Sequence, residues 1–239
     1  MCVLGIESAT SVASAAVAGD CGILAERMVL NKRTHSVNLL PMIKAVMEEA
    51  EIDRDKLAGI AVSGGPGSFT GLRIGMSTAK ALAQVWNLPL VRISTLEALV
   101  YPLAGHGRLL CPVLNARKNE VYTALYDFTG SGMKVLAEPA ALAPEALAER
   151  LLKIQKPVTF LGDGVQACRS LLEAGLKGLA SFAPAAASFP RGGAVAGMGL
   201  KAIMEGRGMD PGDVRPEYIR VSEAEAVWLK KHATGGRDR

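Results

Sequence analysis

The chain has 239 residues, is 49% apolar, and carries 27 Lys and Arg against 23 Asp and Glu for a formal net charge of +4. That length builds one large domain or two small ones with a proper core, and the apolar fraction is that of a globular protein. The mild positive charge is spread along the chain with no Lys/Arg block, so it points to nucleic acid only weakly beside an ordinary solvated surface. Cys2, Cys21, Cys111 and Cys168 stand far apart, which excludes a paired zinc or redox spacing. They read as small buried apolar residues in a reducing compartment. The N-terminus enters a strand at once, without a charged leader or a long apolar run, so neither a signal peptide nor a membrane span is expected and the cytoplasm is the expected location.

In chain order, the pattern predicts strands at 3–6, 12–18 and 23–30, then a helix over 38–51, a strand at 57–62 and a helix over 70–86. A strand at 90–93 and a helix over 94–103 complete the first half, 1–104. A second half, 105–193, repeats the order: strands at 112–114, 121–128 and 133–137, a helix over 144–153, a strand at 158–161 and a helix over 165–174. Such a β-β-β-α-β-α repetition is the strongest architectural signal in the chain. The Ala/Gly/Pro-rich stretch 180–193 reads as a loop. A helix over 194–204 returns toward the first half, and 207–239 form an extension whose last residues, 235–239, are expected to be disordered.

The run Ser63-Gly64-Gly65-Pro66-Gly67-Ser68-Phe69-Thr70-Gly71 joins a strand to a helix, where backbone N–H groups and a helix N-terminus can meet an anion. It lacks the Lys of a Walker loop, misses the Rossmann glycine spacing by one residue, and has no ribose-binding acid following it. Ser68 and Thr70 are candidate N-caps. Two facing β-β-β-α-β-α halves describe an α/β fold of the actin-like ATPase (ASKHA) type, in which nucleotide sits between the halves and the turn after each first strand handles phosphate. Here those turns are Glu7-Ser8-Ala9-Thr10 and Asn115-Ala116-Arg117. Glu7 is one methylene too long for tight Mg²⁺–water geometry, and neutral Asn115 cannot act as a general base. Ser8, Thr10, Gly65, Gly67, Ser68 and Asn115 are thus candidates for a vestigial nucleotide or anion site, and Asn115 is equally an ordinary turn residue. Asp163, after the strand at 158–161, stands where such folds approach adenosine or forms a plain turn.

On the helix from Asn38, residues Leu39, Leu40, Met42, Ile43, Val46, Met47 and Ala50 span roughly 160°, wider than the roughly 100° that covers a core. Either the whole stripe is core or its flank, Leu40 and Met47, is a partner surface. Pro41 fits only in the first turn or at a kink. The next helix carries a four-residue series of small side chains, Gly71, Gly75, Ala79 and Ala83, that lets another element approach closely or packs on its own sheet. His35, His106 and His232 form no metal pair, and His35 reads as polar surface or a cap. Lys230-Lys231-His232 reads as a solvated tail or a contact for nucleic-acid phosphates.

Gly65-Pro66-Gly67-Ser68-Phe69-Thr70-Gly71-Leu72-Arg73-Ile74-Gly75 closely resembles the glycine-rich motif of the TsaB (YeaZ) family. Ile6-Glu7-Ser8-Ala9-Thr10, His35 with Leu39-Leu40-Pro41-Met42-Ile43, Asn115 to Tyr122 and Pro216-Glu217-Tyr218-Ile219-Arg220 match it in the same order. The resemblance implies a non-catalytic partner of TsaD that, with TsaE, serves the transfer of a threonylcarbamoyl group to the adenosine beside the anticodon of tRNAs reading codons that begin with A. It implies no metal or cofactor required by this chain, weak ATP binding at most, ATP used by TsaD, tRNA met through the complex, and a homodimer when TsaD is absent. It places the TsaD contact on the two helices of the first half, hence on Leu39, Leu40, Ile43, Met47, Gly71, Gly75 and Ala79. Glu7 and Asn115 depart from the Asp usual in the family, and the His-x-x-x-His metal motif of TsaD-like proteins is absent from the chain. An active small-molecule kinase of this fold, which needs a working phosphate-turn Asp and a base, and a peptidase, which needs a nucleophile–base pair or a metal, are the rival readings.

Overall fold

A computed structural model describes residues 1–31, 34–105, 107–116, 118–128 and 132–220. The expected disorder at 235–239 and the basic run Lys230-Lys231-His232 lie outside the described residues. The first half consists of β1 (Cys2–Glu7), β2 (Ala13–Gly19), β3 (Gly22–Val29), α1 (His35–Glu49), β4 (Leu57–Ser63), α2 (Phe69–Trp86) and β5 (Leu90–Ile93). After α3 (Thr95–Val100) come β6 (Leu109–Asn115), β7 (Val121–Asp127), β8 (Lys134–Leu142), α4 (Pro144–Ile154), β9 (Val158–Leu161), α5 (Val165–Leu176), β10 (Ala180–Phe182) and α6 (Gly192–Met204).

The two sheets have the orders β3-β2-β1-β4-β5 and β8-β7-β6-β9-β10, so the duplication extends to every strand. In each, the first three strands are antiparallel neighbours and the last two join in parallel. One correction concerns 180–193, read as a loop. It holds β10, the counterpart of β5, whose three residues are too few to show a periodic pattern.

Period-two alternation divides each strand between two layers. Leu4 and Ile6 of β1 and Ile60 and Val62 of β4 face α1 and α2, while Val3 and Ala61 face α6. In the second half α4 and α5 cover one face. The other is covered by α3, whose Leu96, Leu99 and Val100 pack on Leu110, Leu114 and Tyr126. By chain order α3 completes the first half, yet its apolar face belongs to the second core. Helices α3 and α6 also touch each other, so the halves interlock through a helix lent from each side.

The predicted helix over 38–51 begins three residues earlier and ends at Glu49. Pro41 lies in its second turn, not the first. The N–H it lacks would have bonded the Val37 carbonyl, and both residues are exposed. Thr70 is not a cap; it lies inside α2, and Ser68 alone caps that helix by accepting the Gly71 N–H at 3.2 Å. Cys111 and Cys168 are buried as expected, but Cys21 is exposed at the β2–β3 turn.

Helix α6 lies on the first sheet because Gly5 presents no side chain. A Cβ there would overlap the Gly192 carbonyl and stand 2.5 Å from the Ala196 nitrogen. Both obstacles are backbone, so relief requires α6 to move. Gly5→Ala is expected to cost about 3 kcal/mol, read as a lower urea midpoint at unchanged slope; an unchanged midpoint would show that α6 sits loosely.

Candidate functional site

Two concave features carry the candidate residues. The first is a cleft of about 710 Å³ between the halves. Its walls come from the turns after β1 and β6, the loop before α2, and residues 217–220. Of the vestigial anion set, Thr10, Gly67, Ser68 and Asn115 line it, whereas Ser8 and Gly65 do not. Asp163 and His35 line it too.

Ser8 is fully buried and donates from Oγ to the Gly71 carbonyl at 2.9 Å. Gly65 has φ +120° and approaches the Glu217 carbonyl so closely that any Cβ would overlap it; its own carbonyl accepts the Thr95 N–H at 2.8 Å. Both residues shape the loop and are corrected from ligand candidates to scaffold. Gly67 packs on the first turn, where a Cβ would overlap Ala9, and the Ser68 N–H donates to the Ala9 carbonyl at 2.6 Å. That donor, which the sequence offered to an anion, is therefore spent on the protein's own backbone.

Glu7 occupies the first carboxylate position but is turned inward and wholly buried. Its Oε1 accepts the Ala9 N–H at 2.6 Å, and its Oε2 has no hydrogen-bond partner. Glu7 is not among the residues that line the cleft. In the second turn the Asn115 N–H donates to Asp163 Oδ1 at 3.1 Å, and burial pushes the Asp163 carboxyl up while that hydrogen bond opposes it. Asp163 thus ties the turn after β9 to the turn after β6. His35 is neither a free surface residue nor a cap. Its Nε2 donates to the Thr10 carbonyl at 2.8 Å, and its buried Nδ1 has no hydrogen-bond partner. Among the described residues no group of three His, Cys, Asp or Glu side chains is placed to hold a metal ion.

The second feature is a groove between α1 and α2, also of about 710 Å³, floored by Leu40, Ile43, Met47, Ile52, Leu82 and Trp86 and rimmed by charged residues. It corrects most of the predicted helical contact. Leu39 and Ala79 are buried in the first core away from the groove, while Ile43 is buried in that core and also reaches the groove floor. Gly71 and Gly75 face Ser8, whose backbone and side chain a Cβ at either position would overlap. The small-residue ridge therefore packs α2 on its own first turn. Leu40, 55% exposed, and the half-buried Met47 remain at the surface. Leu82 and Trp86 of the groove, and Val85 beside them at 76% exposure, went unrecognised. Leu82 and Trp86 stand three and seven residues beyond Ala79, along the same side of α2 as the small ridge, and pack at the edge of the first core; that apolar spacing is the signal that marks them.

Burial raises the Glu7 carboxyl from its ordinary 4.5 to about 7, against the opposing Ala9 hydrogen bond. Between those values the folded chain holds a proton that the unfolded chain has released, so this group's contribution to stability is complete below pH 4.5 and is lost as pH rises through 7. Glu7→Gln keeps an acceptor for Ala9 and removes the titration. Its stability relative to the parent is expected to rise by about 3 kcal/mol between pH 5 and pH 8, measured by urea unfolding at each pH. Parallel profiles for the two proteins would show that Glu7 titrates normally.

A family model described as TsaD: tRNA N6-adenosine threonylcarbamoyltransferase matches residues 22–228. The tRNA threonylcarbamoyladenosine biosynthesis protein TsaB of Bacillus subtilis (strain 168) is 30% identical over 96% of this chain and 99% of its own length. Among solved structures, YeaZ from Pseudomonas aeruginosa has a TM-score of 0.73 at 22% identity, covering 91% of this chain and 99% of that one. The ROK hexokinase of Thermus thermophilus has a TM-score of 0.51 at 14% identity, covering 84% of this chain and all of its own, and shares the fold alone. The paired five-stranded sheets are the two halves of the actin-like ATPase fold. Matched nearly end to end with the Bacillus relative at 30% identity, the chain belongs to the TsaB (YeaZ) family.

Proposed function

We propose that this chain is a non-catalytic subunit of the machinery that transfers a threonylcarbamoyl group to the adenosine beside the anticodon of tRNAs reading codons that begin with A. The reading rests on the name carried by its Bacillus relative and on one observation above the rest: the phosphate-handling turn is closed on itself. Glu7 is buried against Ala9, and the loop before α2 donates to Ala9 where an anion would lie. A kinase needs that carboxylate facing the cleft, so phosphoryl transfer is not favoured. TsaD supplies the chemistry and uses the ATP, TsaE joins the pair in a ternary complex, and tRNA is met through the assembly in the cytoplasm. This chain requires no cofactor for that role.

The contact for TsaD is the groove between α1 and α2, where Leu40 and Met47 lie beside Leu82 and Trp86. The same face joins two copies when TsaD is absent. Among the described residues no helix is long and apolar enough to cross a membrane, and the exposed apolar groove fits a protein partner.

Deleting the gene is expected to remove threonylcarbamoyladenosine from bulk tRNA, read by nucleoside mass spectrometry; unchanged levels would end the proposal. For the contact itself, Leu40→Glu is the cleaner substitution, because Leu40 is 55% exposed and its replacement leaves the core intact. A carboxylate buried unpaired in the complex costs about 3 kcal/mol, a hundredfold or more in affinity for TsaD. Circular dichroism and titration calorimetry check the two halves of that expectation, and full affinity in a folded variant would move the interface elsewhere.

A further inference from the structure

Beyond α6 the chain runs back along the first half and then crosses the cleft. Met209 and Leu90 exchange two backbone hydrogen bonds of 3.0 Å, and Val214 is buried in the first core. The Glu217 N–H donates to the Gly64 carbonyl at 2.7 Å, and its carboxylate meets Arg92 at 3.3 Å. Tyr218 packs its ring on Phe69 with centroids 5.0 Å apart and accepts from Arg73 Nε at 3.3 Å. Two residues on, Arg220 leaves the first half. Its Nη1 donates to Glu120 Oε2 at 2.5 Å and to the Ala116 carbonyl at 3.4 Å, both in the turn between β6 and β7. Residues 217–220 thus form part of the cleft wall and hold both of its sides.

We propose that residues 217–220 are a latch across the cleft, with the Arg220–Glu120 pair as its release point. The attachments are unequal. On the first half the strap is fixed by backbone pairing and core burial, which open only with the sheet. On the second half, among the described residues, it is held through the Arg220 side chain. Arg220 and Glu120 are 30% and 36% exposed, and a solvated pair of that kind favours its closed arrangement by about fivefold at most. The turn at 116–120 therefore leaves and rejoins the strap without unfolding either half. The strap also grips α2, through Tyr218 on Phe69 and through Lys80 Nζ, which donates to the Gly212 carbonyl at 3.4 Å. A displacement of α2 is transmitted to the latch, and through it to the width of the cleft. The latch is a property of the isolated chain and does not depend on what occupies the groove.

Hydrogen exchange with mass spectrometry on the full chain tests it, using Arg220→Glu, Glu120→Arg and the double exchange of both. Each single variant replaces the attraction by a like-charge repulsion and is expected to speed exchange of the amides at 118–122 by about fivefold or more, with α4 and α5 unchanged, and the double exchange to bring the rate most of the way back to the parent's. Unchanged rates in the singles, or a double variant as fast as either single, would overturn the latch. So would acceleration spread evenly over both halves, which would make the pair a contributor to global stability and nothing more.

Discussion

The seating of α2 on the turn after β1 governs both candidate sites. Ser8 donates to the Gly71 carbonyl, the Ser68 N–H donates to the Ala9 carbonyl, and Gly67, Gly71 and Gly75 give the turn room to approach. A backbone N–H satisfied inside the protein is withdrawn from any ligand. The loop that resembles an anion cradle is thereby converted into a mortise for the first turn. Glu7 completes the same joint from below, trading exposure to the cleft for the Ala9 N–H and taking the desolvation penalty in its raised pKa.

Farther along the same side of α2 the small residues give way to Leu82 and Trp86, which pack at the edge of the first core and border the groove beside Leu40 and Met47. A groove with an apolar floor and charged rim is the form of a surface that binds protein.

The two halves are mirrored in topology and interlocked in space. Each sheet has the same strand order, and each has one face covered by a helix that chain order would assign elsewhere: α6 on the first sheet, α3 on the second. The cleft lies between them, bounded by matching turns, Glu7–Thr10 and Asn115–Glu120. The strap from Met209 to Arg220 adds a third connection, made of protein across the cleft.

Much of this was legible in the residues themselves. Strand alternation and the repeated β-β-β-α-β-α order marked the two halves, because those signals are local and depend on period and turn chemistry, while the glycine-rich junction carried the family resemblance. The carboxylate positions at Glu7 and Asn115 were also readable, since side-chain length and charge are properties of the residue. The three-residue strand β10 was too short for any period to show. The division of the α1 stripe into buried Leu39 and Ile43 and exposed Leu40 was not readable either, because an over-wide apolar arc does not say which edge meets the sheet. The small ridge of α2 and the loop before it allowed a ligand, a partner or the protein's own turn equally. Only the tertiary structure chose the turn, because close approach between Ser8 and Gly71 joins residues far apart in sequence, and no local pattern encodes which distant backbone will fill the space that glycine leaves.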